Sequence, residues 1–339
     1  METAMSLYEE AHANPAGPGD SRPTALQIVK DQELEGKLKG KVFVITGTSS
    51  GIGIETARAL SVTGATLYLT ARNVSKARSN LVDVLNTNRV EIVEMNQESL
   101  QSVRDAAKEI LAKTDRVNVL INNAGIMGIQ TRQLTQDGNE MHFGVNHLSH
   151  FLLFQLLKPA LLAAATPEFP SRVVNVSSSV HRIRGLNGSG NYNFSVENYD
   201  PTAAYAQSKT ANIYMTNEIE RRYGPSGIHA TSLHPGVVDT SISKNLPKAQ
   251  VDAILGMEKI QKMLKSPEQG AATTVWAAVG KEWATRGGIY LSDCAETSPE
   301  MEGSDLNDTR YHARHVFNPE SEGKLWKDSL KLVGFEEDP

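Results

Sequence analysis

Tyr205-Ala-Gln-Ser-Lys209 puts a phenol and an ammonium four residues apart, a spacing that sets both on one face of a helix. A phenol titrates near pH ~10 and is a reluctant proton carrier at neutral pH. A lysine beside it favours the phenolate, which should bring Tyr205 down toward an acid/base range. Any solvated Tyr-x-x-x-Lys face looks the same in isolation, so the pair takes its meaning from its surroundings. Two other segments suit proton and anion chemistry: the glycine turn Thr46-Gly-Thr-Ser-Ser-Gly-Ile-Gly53 and the hydroxyl cluster Asn175-Val-Ser-Ser178.

These groups need a frame. From Lys41 onward, short β-branched runs alternate with longer helical patterns. Strands are predicted at 42–46, 66–70, 90–94, 117–121, 172–176, 229–233 and 288–291, with helices at 51–62 and 74–85 among those between. Continuous apolar strands separated by helices indicate a parallel sheet covered on both faces. The fold class is therefore α/β: a single doubly wound, Rossmann-type sheet of about seven strands. The organisation read from this is an N-terminal arm over 1–38, a main domain over 39–296 and a C-terminal extension over 297–339. The arm is expected to wrap the domain or to be irregular. Two segments break the alternation, 182–203 and 239–266, and both leave the carboxyl ends of strands, where such sheets bind ligands.

Composition narrows the function classes. The chain has 339 residues, is 40% hydrophobic and 22% charged, and carries a net charge of −5. That balance gives no electrostatic reason to expect nucleic acid or an acidic membrane as partner. No run is long and apolar enough to span a bilayer. Cys294 is the only cysteine, so no intrachain disulfide forms, and with no secretory signal visible a reducing, cytoplasmic setting is expected. For the same reason Asn-x-Ser triplets such as Asn187-Gly-Ser189 are read as chance.

At the end of the first strand, Gly47 permits a tight turn, while Gly51 and Gly53 let backbone approach a pyrophosphate and the next helix pack on the sheet. The second strand ends Leu69-Thr-Ala-Arg72. No carboxylate stands there to grip a ribose 2′-hydroxyl, and a guanidinium is available for a 2′-phosphate. NADP(H) is the expected cofactor rather than NAD(H), unless Arg72 merely solvates its loop.

With these motifs in order, the chain resembles the short-chain dehydrogenase/reductase family. The likeness rests on Thr46-Gly-x-x-x-Gly-x-Gly53, Asn122-Asn-Ala-Gly125, Asn175-Val-Ser-Ser178, Tyr205-x-x-x-Lys209 and the Pro235-Gly236 step, and covers 41 to about 293. Asn146-His-Leu-Ser-His-Phe151 and Ser208-Lys-Thr-Ala-Asn212 resemble its retinol dehydrogenase-like and WW-domain oxidoreductase-like branch. The resemblance implies roles. Tyr205 would give a proton to a carbonyl or take one from an alcohol. Lys209 would bind the nicotinamide ribose and lower the tyrosine pKa. Ser178 would hold the carbonyl oxygen, with slippage to Ser177 or Ser179 left open. Asn146 would hold a water for proton relay, or be only a packing amide. The cofactor-binding set implied is Gly47, Ser49, Ser50, Gly51, Ile52, Gly53, Arg72, Asn96, Asn123, Ala124, Gly125, Tyr205, Lys209, Pro235, Gly236, Val238 and Thr240, with Asn122 on the adenosine side. Asn96 stands where the family usually has an aspartate.

The resemblance implies hydride exchange between NADP(H) and a small-molecule carbonyl or alcohol. The other class of function is an NADP(H)-binding regulatory or scaffold protein without turnover, although the Ser/Tyr/Lys set is complete. An extended sugar-nucleotide epimerase usually carries Gly-x-x-Gly-x-x-Gly, which the glycine spacing argues against. His142, His147 and His150 lack a joining cysteine or carboxylate cluster, so no metal is expected and surface or interface histidines are. Relatives often dimerise through this helix, which makes a homodimer compatible with the likeness. Apolar residues in the two loops (Ile183, Leu186, Phe194, Ile254, Leu255, Met257, with Met263 and Leu264) suggest a bulky lipophilic or aromatic substrate, with helix-core packing an equal reading.

Overall fold

The computed structural model describes residues 8–188, 190–195, 198–306 and 308–338. The first seven residues and three positions of the 182–203 loop, Ser189 of the Asn187 triplet among them, therefore lie outside the described residues.

Ten strands matter for the site: β1 (Val42–Thr46), β2 (Thr66–Ala71), β3 (Val90–Glu94), β4 (Val119–Asn122), β5 (Ser171–Val176), β6 (Ile228–His234), β7 (Val237–Val238), β8 (Leu264–Lys265), β9 (Ile289–Ser292) and β10 (Ala295–Glu296). Eight form one sheet in the order β10-β9-β6-β5-β4-β1-β2-β3. Seven of these run parallel, as the buried β-branched runs require, because both faces are covered by helices. The order reverses between β1 and β4, the position at which doubly wound sheets leave a crevice at their carboxyl edge.

The eighth strand, β10, is antiparallel to β9 and departs from the seven predicted. It follows a turn in which Asp293 and Cys294 both take left-handed φ, at 53° and 52°. Neither is glycine, so the turn left no composition signal, and it holds strained backbone. The helix predicted over 74–85 is shorter, Val74–Asn80. Arg58 donates to the Asn80 carbonyl (2.9 Å), a long-range contact that takes up a helix-end acceptor.

Helices cover both faces of the sheet. On one face lie α1 (Ala25–Asp31), α2 (Ile52–Ser61) and α6 (Ala272–Val279). On the other lie α3 (Leu100–Leu111), α4 (Ser149–Ala164), α5 (Pro201–Tyr223) and α7 (Pro319–Leu332). The described part of the arm packs down: Thr24 caps α1 by accepting from Gln27 N, and Ile28 and Val29 are fully buried. In the tail, Trp326 of α7 meets Phe151 of α4 edge-on at 4.9 Å between ring centroids. The apolar stretch starting at Phe151 is thus core helix, and among the described residues no helix is long and apolar enough to cross a membrane.

Candidate active site

The crevice begins where β1 ends. The buried Thr46 hydroxyl accepts from the amides of Asn123 (3.0 Å) and Ala124 (2.9 Å) and lies 2.9 Å from His150 Nε2. Its own proton then goes to Nε2, which leaves the ring proton on Nδ1, donated to the Asn146 carbonyl (3.0 Å). One hydroxyl thus ties the glycine turn to the Asn123–Gly125 step. Gly47 has φ +73°, and a Cβ there would fall 2.7 Å from Ala124 Cα. Gly51, at φ 64°, is the N-cap of α2 and provides no side-chain cap, so the first amides of α2 face the crevice as an anion site. The residues fit a dinucleotide pyrophosphate.

Gly53→Ala tests this cradle. Its Cβ would overlap the Gly47 carbonyl and lie 2.7 Å from Asn123 Nδ2, an overpacking that costs about 1–3 kcal/mol. Fluorescence titration should show cofactor affinity reduced by about tenfold or more; unchanged affinity would remove the cradle.

The α5 helix brings Tyr205 and Lys209 to the inner end. Asp200 accepts from Ala203 N and Pro201 opens the first turn. Both side chains are buried, with Lys209 Nζ 5.7 Å from the Tyr205 ring centroid. Lys209 donates to the Val176 carbonyl (3.0 Å). The expected lowering of the tyrosine pKa is corrected here: burial pushes the phenol up to about 12, and a hydrogen bond from Ser178 opposes it. Burial also brings Lys209 down to about 8. Within the serine triplet, Ser178 is the one on Tyr205, while Ser177 donates to the Lys209 carbonyl (2.8 Å).

A family model described as short chain dehydrogenase matches residues 41–251. The chain belongs to the short-chain dehydrogenase/reductase family. It is 47% identical over 330 residues to short-chain dehydrogenase/reductase prx1 of Penicillium roqueforti, with 97% of this chain and 96% of that protein covered. It is 34% identical to human retinol dehydrogenase 13, over 88% of this chain and 86% of that one. A solved structure of an uncharacterised protein from Mycobacterium paratuberculosis is 28% identical, covers 89% of this chain and 96% of its own, and superposes with a TM-score of 0.66.

In this short-chain dehydrogenase/reductase one cleft of about 460 Å³ is lined by the whole implied cofactor set, from Gly47 to Thr240, together with Ser178. Asn146 and Asn122 are the exceptions. Asn146 sits in a π-helical turn, Gly144–Leu148. Its amide donates to Ile126 O (3.0 Å) and Ser208 Oγ (2.9 Å) and accepts from Ile126 N (2.8 Å). The side chain braces the Gly125–Met127 loop, and its backbone carbonyl accepts from His150. Asn122 is buried and donates to Asn175 Oδ1 (2.8 Å), so it joins strands rather than lining the cleft.

The three histidines are likewise corrected from surface to core. His142 is bonded to Glu140 (2.9 Å), His147 lies 2.9 Å from Ser329 Oγ in the tail, and burial holds His150 neutral with a pKa near 4. Among the described residues no His/Cys/Asp/Glu group could hold a metal.

Sequence reasoning missed Glu98. It pairs with Arg72 from beyond β3, so an acid does reach the end of β2, through space rather than along the strand. It also missed wall residues Met127, Val145 and Val180, which stand within two positions of motif residues. Of the apolar loop residues expected on the wall, Ile254 lines the cleft. Phe194 instead packs on Tyr199 at 5.8 Å, while Ile183 and Met257 are exposed.

Proposed function

We propose that this chain is an NADP(H)-dependent oxidoreductase that interconverts a carbonyl and an alcohol on a bulky lipophilic or aromatic small molecule, in the cytoplasm. The observation that carries the reading is the meeting of Ser178, Tyr205 and Lys209 at one end of a cleft whose other end is the glycine turn and Arg72. The bound nicotinamide supplies or takes the hydride. Everything else falls to the protein. The Ser178 hydroxyl donates to the substrate oxygen and offsets charge developing there. Tyr205, protonated at neutral pH because burial disfavours its phenolate, gives that oxygen its proton in the reductive direction. Lys209 carries a positive charge below about pH 8, which favours transfer from the phenol. Met127, Val145, Val180, Ile242 and Ile254 on the wall support an apolar substrate.

Arg72 supports the choice of NADP(H). It is half exposed and must be shared between Glu98 and a 2′-phosphate. Arg72→Ala should lower the ratio of kcat/KM for NADPH over NADH by about tenfold. An unchanged ratio would remove the argument from Arg72. Assay of purified protein with NADPH and a carbonyl panel tests the reading as a whole, since tight NADPH binding without turnover would favour a regulatory protein.

A further inference from the structure

The segment between β7 and β8 forms a flap over the cleft. It carries Ile242, Asn245 and Ile254 on the cleft wall, yet its helix Lys248–Leu255 buries no side chain. No hydrophobic core fixes where that helix lies, so contacts at the flap's two ends must do so. Near its start, Asn245 Nδ2 donates to the Met127 carbonyl (3.2 Å). At its end, the chain leaves the short helix Glu258–Met263 for β8, and three successive carbonyls converge on one side chain from the far end of the sequence.

That side chain is Arg22. It donates to the carbonyls of Met263 (2.9 Å), Leu264 (2.6 Å) and, at longer range, Lys262 (3.5 Å). The same guanidinium donates to Asp20 Oδ1 (2.8 Å) and the Gly17 carbonyl (3.1 Å). Arg22 is 4% exposed. A buried cation with five acceptors is a built site, and a planar fork of donors matches a fan of carbonyls that an ammonium does not span. The carbonyls it takes are those a helix end leaves without partners. Two neighbours reinforce it: Gly17 N donates to Lys262 O (2.9 Å), and Gln269 Nε2 donates to the Arg22 carbonyl (3.1 Å).

The next residue along, Lys265, reaches the opposite way. Its ammonium donates to Asp293 (2.6 Å), and its stem lies against Gly236, where a Cβ would be 2.8 Å from Lys265 Cδ. The hinge is therefore gripped from the arm on one side and joined to the Pro235–Gly236 step on the other.

Building on the oxidoreductase reading above, we infer that Arg22 is a positioning residue of the substrate site. It fixes the C-terminal hinge of the flap, and the N-terminal arm is by this means part of the substrate-binding apparatus. The test uses the full chain with Arg22→Gln and Arg22→Lys, read by hydrogen exchange over 239–263 and by steady-state kinetics. Exchange in the flap should rise about tenfold, with α5 unchanged. The carbonyl KM should rise about fivefold while NADPH affinity stays within about twofold. Arg22→Lys keeps the charge and should show the same loosening in smaller degree, and it decides the matter if Arg22→Gln does not fold. Flap exchange equal to wild type in both variants overturns the inference, as does a loosening spread evenly over the sheet. Absence of turnover in the wild type would defeat the oxidoreductase reading, while the exchange comparison still decides the role of Arg22.

Discussion

Tyr205→Phe should lower kcat for carbonyl reduction by about 10³-fold, the middle of the range that a positioned general acid contributes. The variant loses only an oxygen. Its ring keeps the edge contact with His142, at 6.0 Å between centroids, and the glycine turn is untouched, so NADPH should bind within about twofold of wild type. The Ser178 hydroxyl remains to hold the substrate oxygen, which is why KM for the carbonyl should change far less than kcat. Following NADPH absorbance with a carbonyl panel measures both parameters. A rate within about tenfold of wild type would mean that the proton comes from elsewhere.

Lys209→Met should abolish turnover and yet make the cofactor-free protein more stable at neutral pH. The Lys209 pKa falls from an ordinary 10.5 to about 8 because burial penalises the ammonium. The folded state thus holds this proton less tightly than the unfolded state. Below about pH 8 the folded protein bears the full cost of a buried charge, of the order of 3 kcal/mol at most. Between about pH 8 and 10.5 that cost is relieved and the wild type gains stability as pH rises. The methionine variant carries no such charge. Its melting temperature should exceed that of wild type at pH 7, and the gap should close toward pH 10. The Val176 carbonyl keeps a donor in the variant, from Asn212 Nδ2 (3.2 Å). In the wild type, reductive activity should fall as pH rises through about 8. A variant less stable than wild type at pH 7 would mean that the ammonium is not a net cost.

What could be read from the sequence was what local pattern encodes. The apolar runs at Val42–Thr46 and Ser171–Val176 fill both faces of buried strands, and a run of that kind declares itself within five or six residues. The glycines of the turn are legible because no side chain fits beside Ala124 and Asn123. Tyr205 and Lys209 are legible because one helix sets their separation. The environment of these groups was not. Whether lysine or burial governs the phenol depends on everything packed around it, and burial dominates. Glu98 reaches Arg72 across 26 residues, and Arg22 reaches Met263 across 241. The spacing of Asn146 from its neighbours said nothing of Ser208 or Ile126, which bond to its amide. The turn through Asp293 and Cys294 hid for the same reason: its support comes from Thr273, whose hydroxyl accepts from Cys294 N (3.1 Å).

Trp326 stacks edge-on against Phe151 and Phe154, and Ser329 meets His147. The long helices carrying these residues therefore find their apolar partner within the same polypeptide. Covering a face in this way is a unimolecular event, so its free energy contains no mass-action contribution. Dilution alone therefore does not uncover that layer.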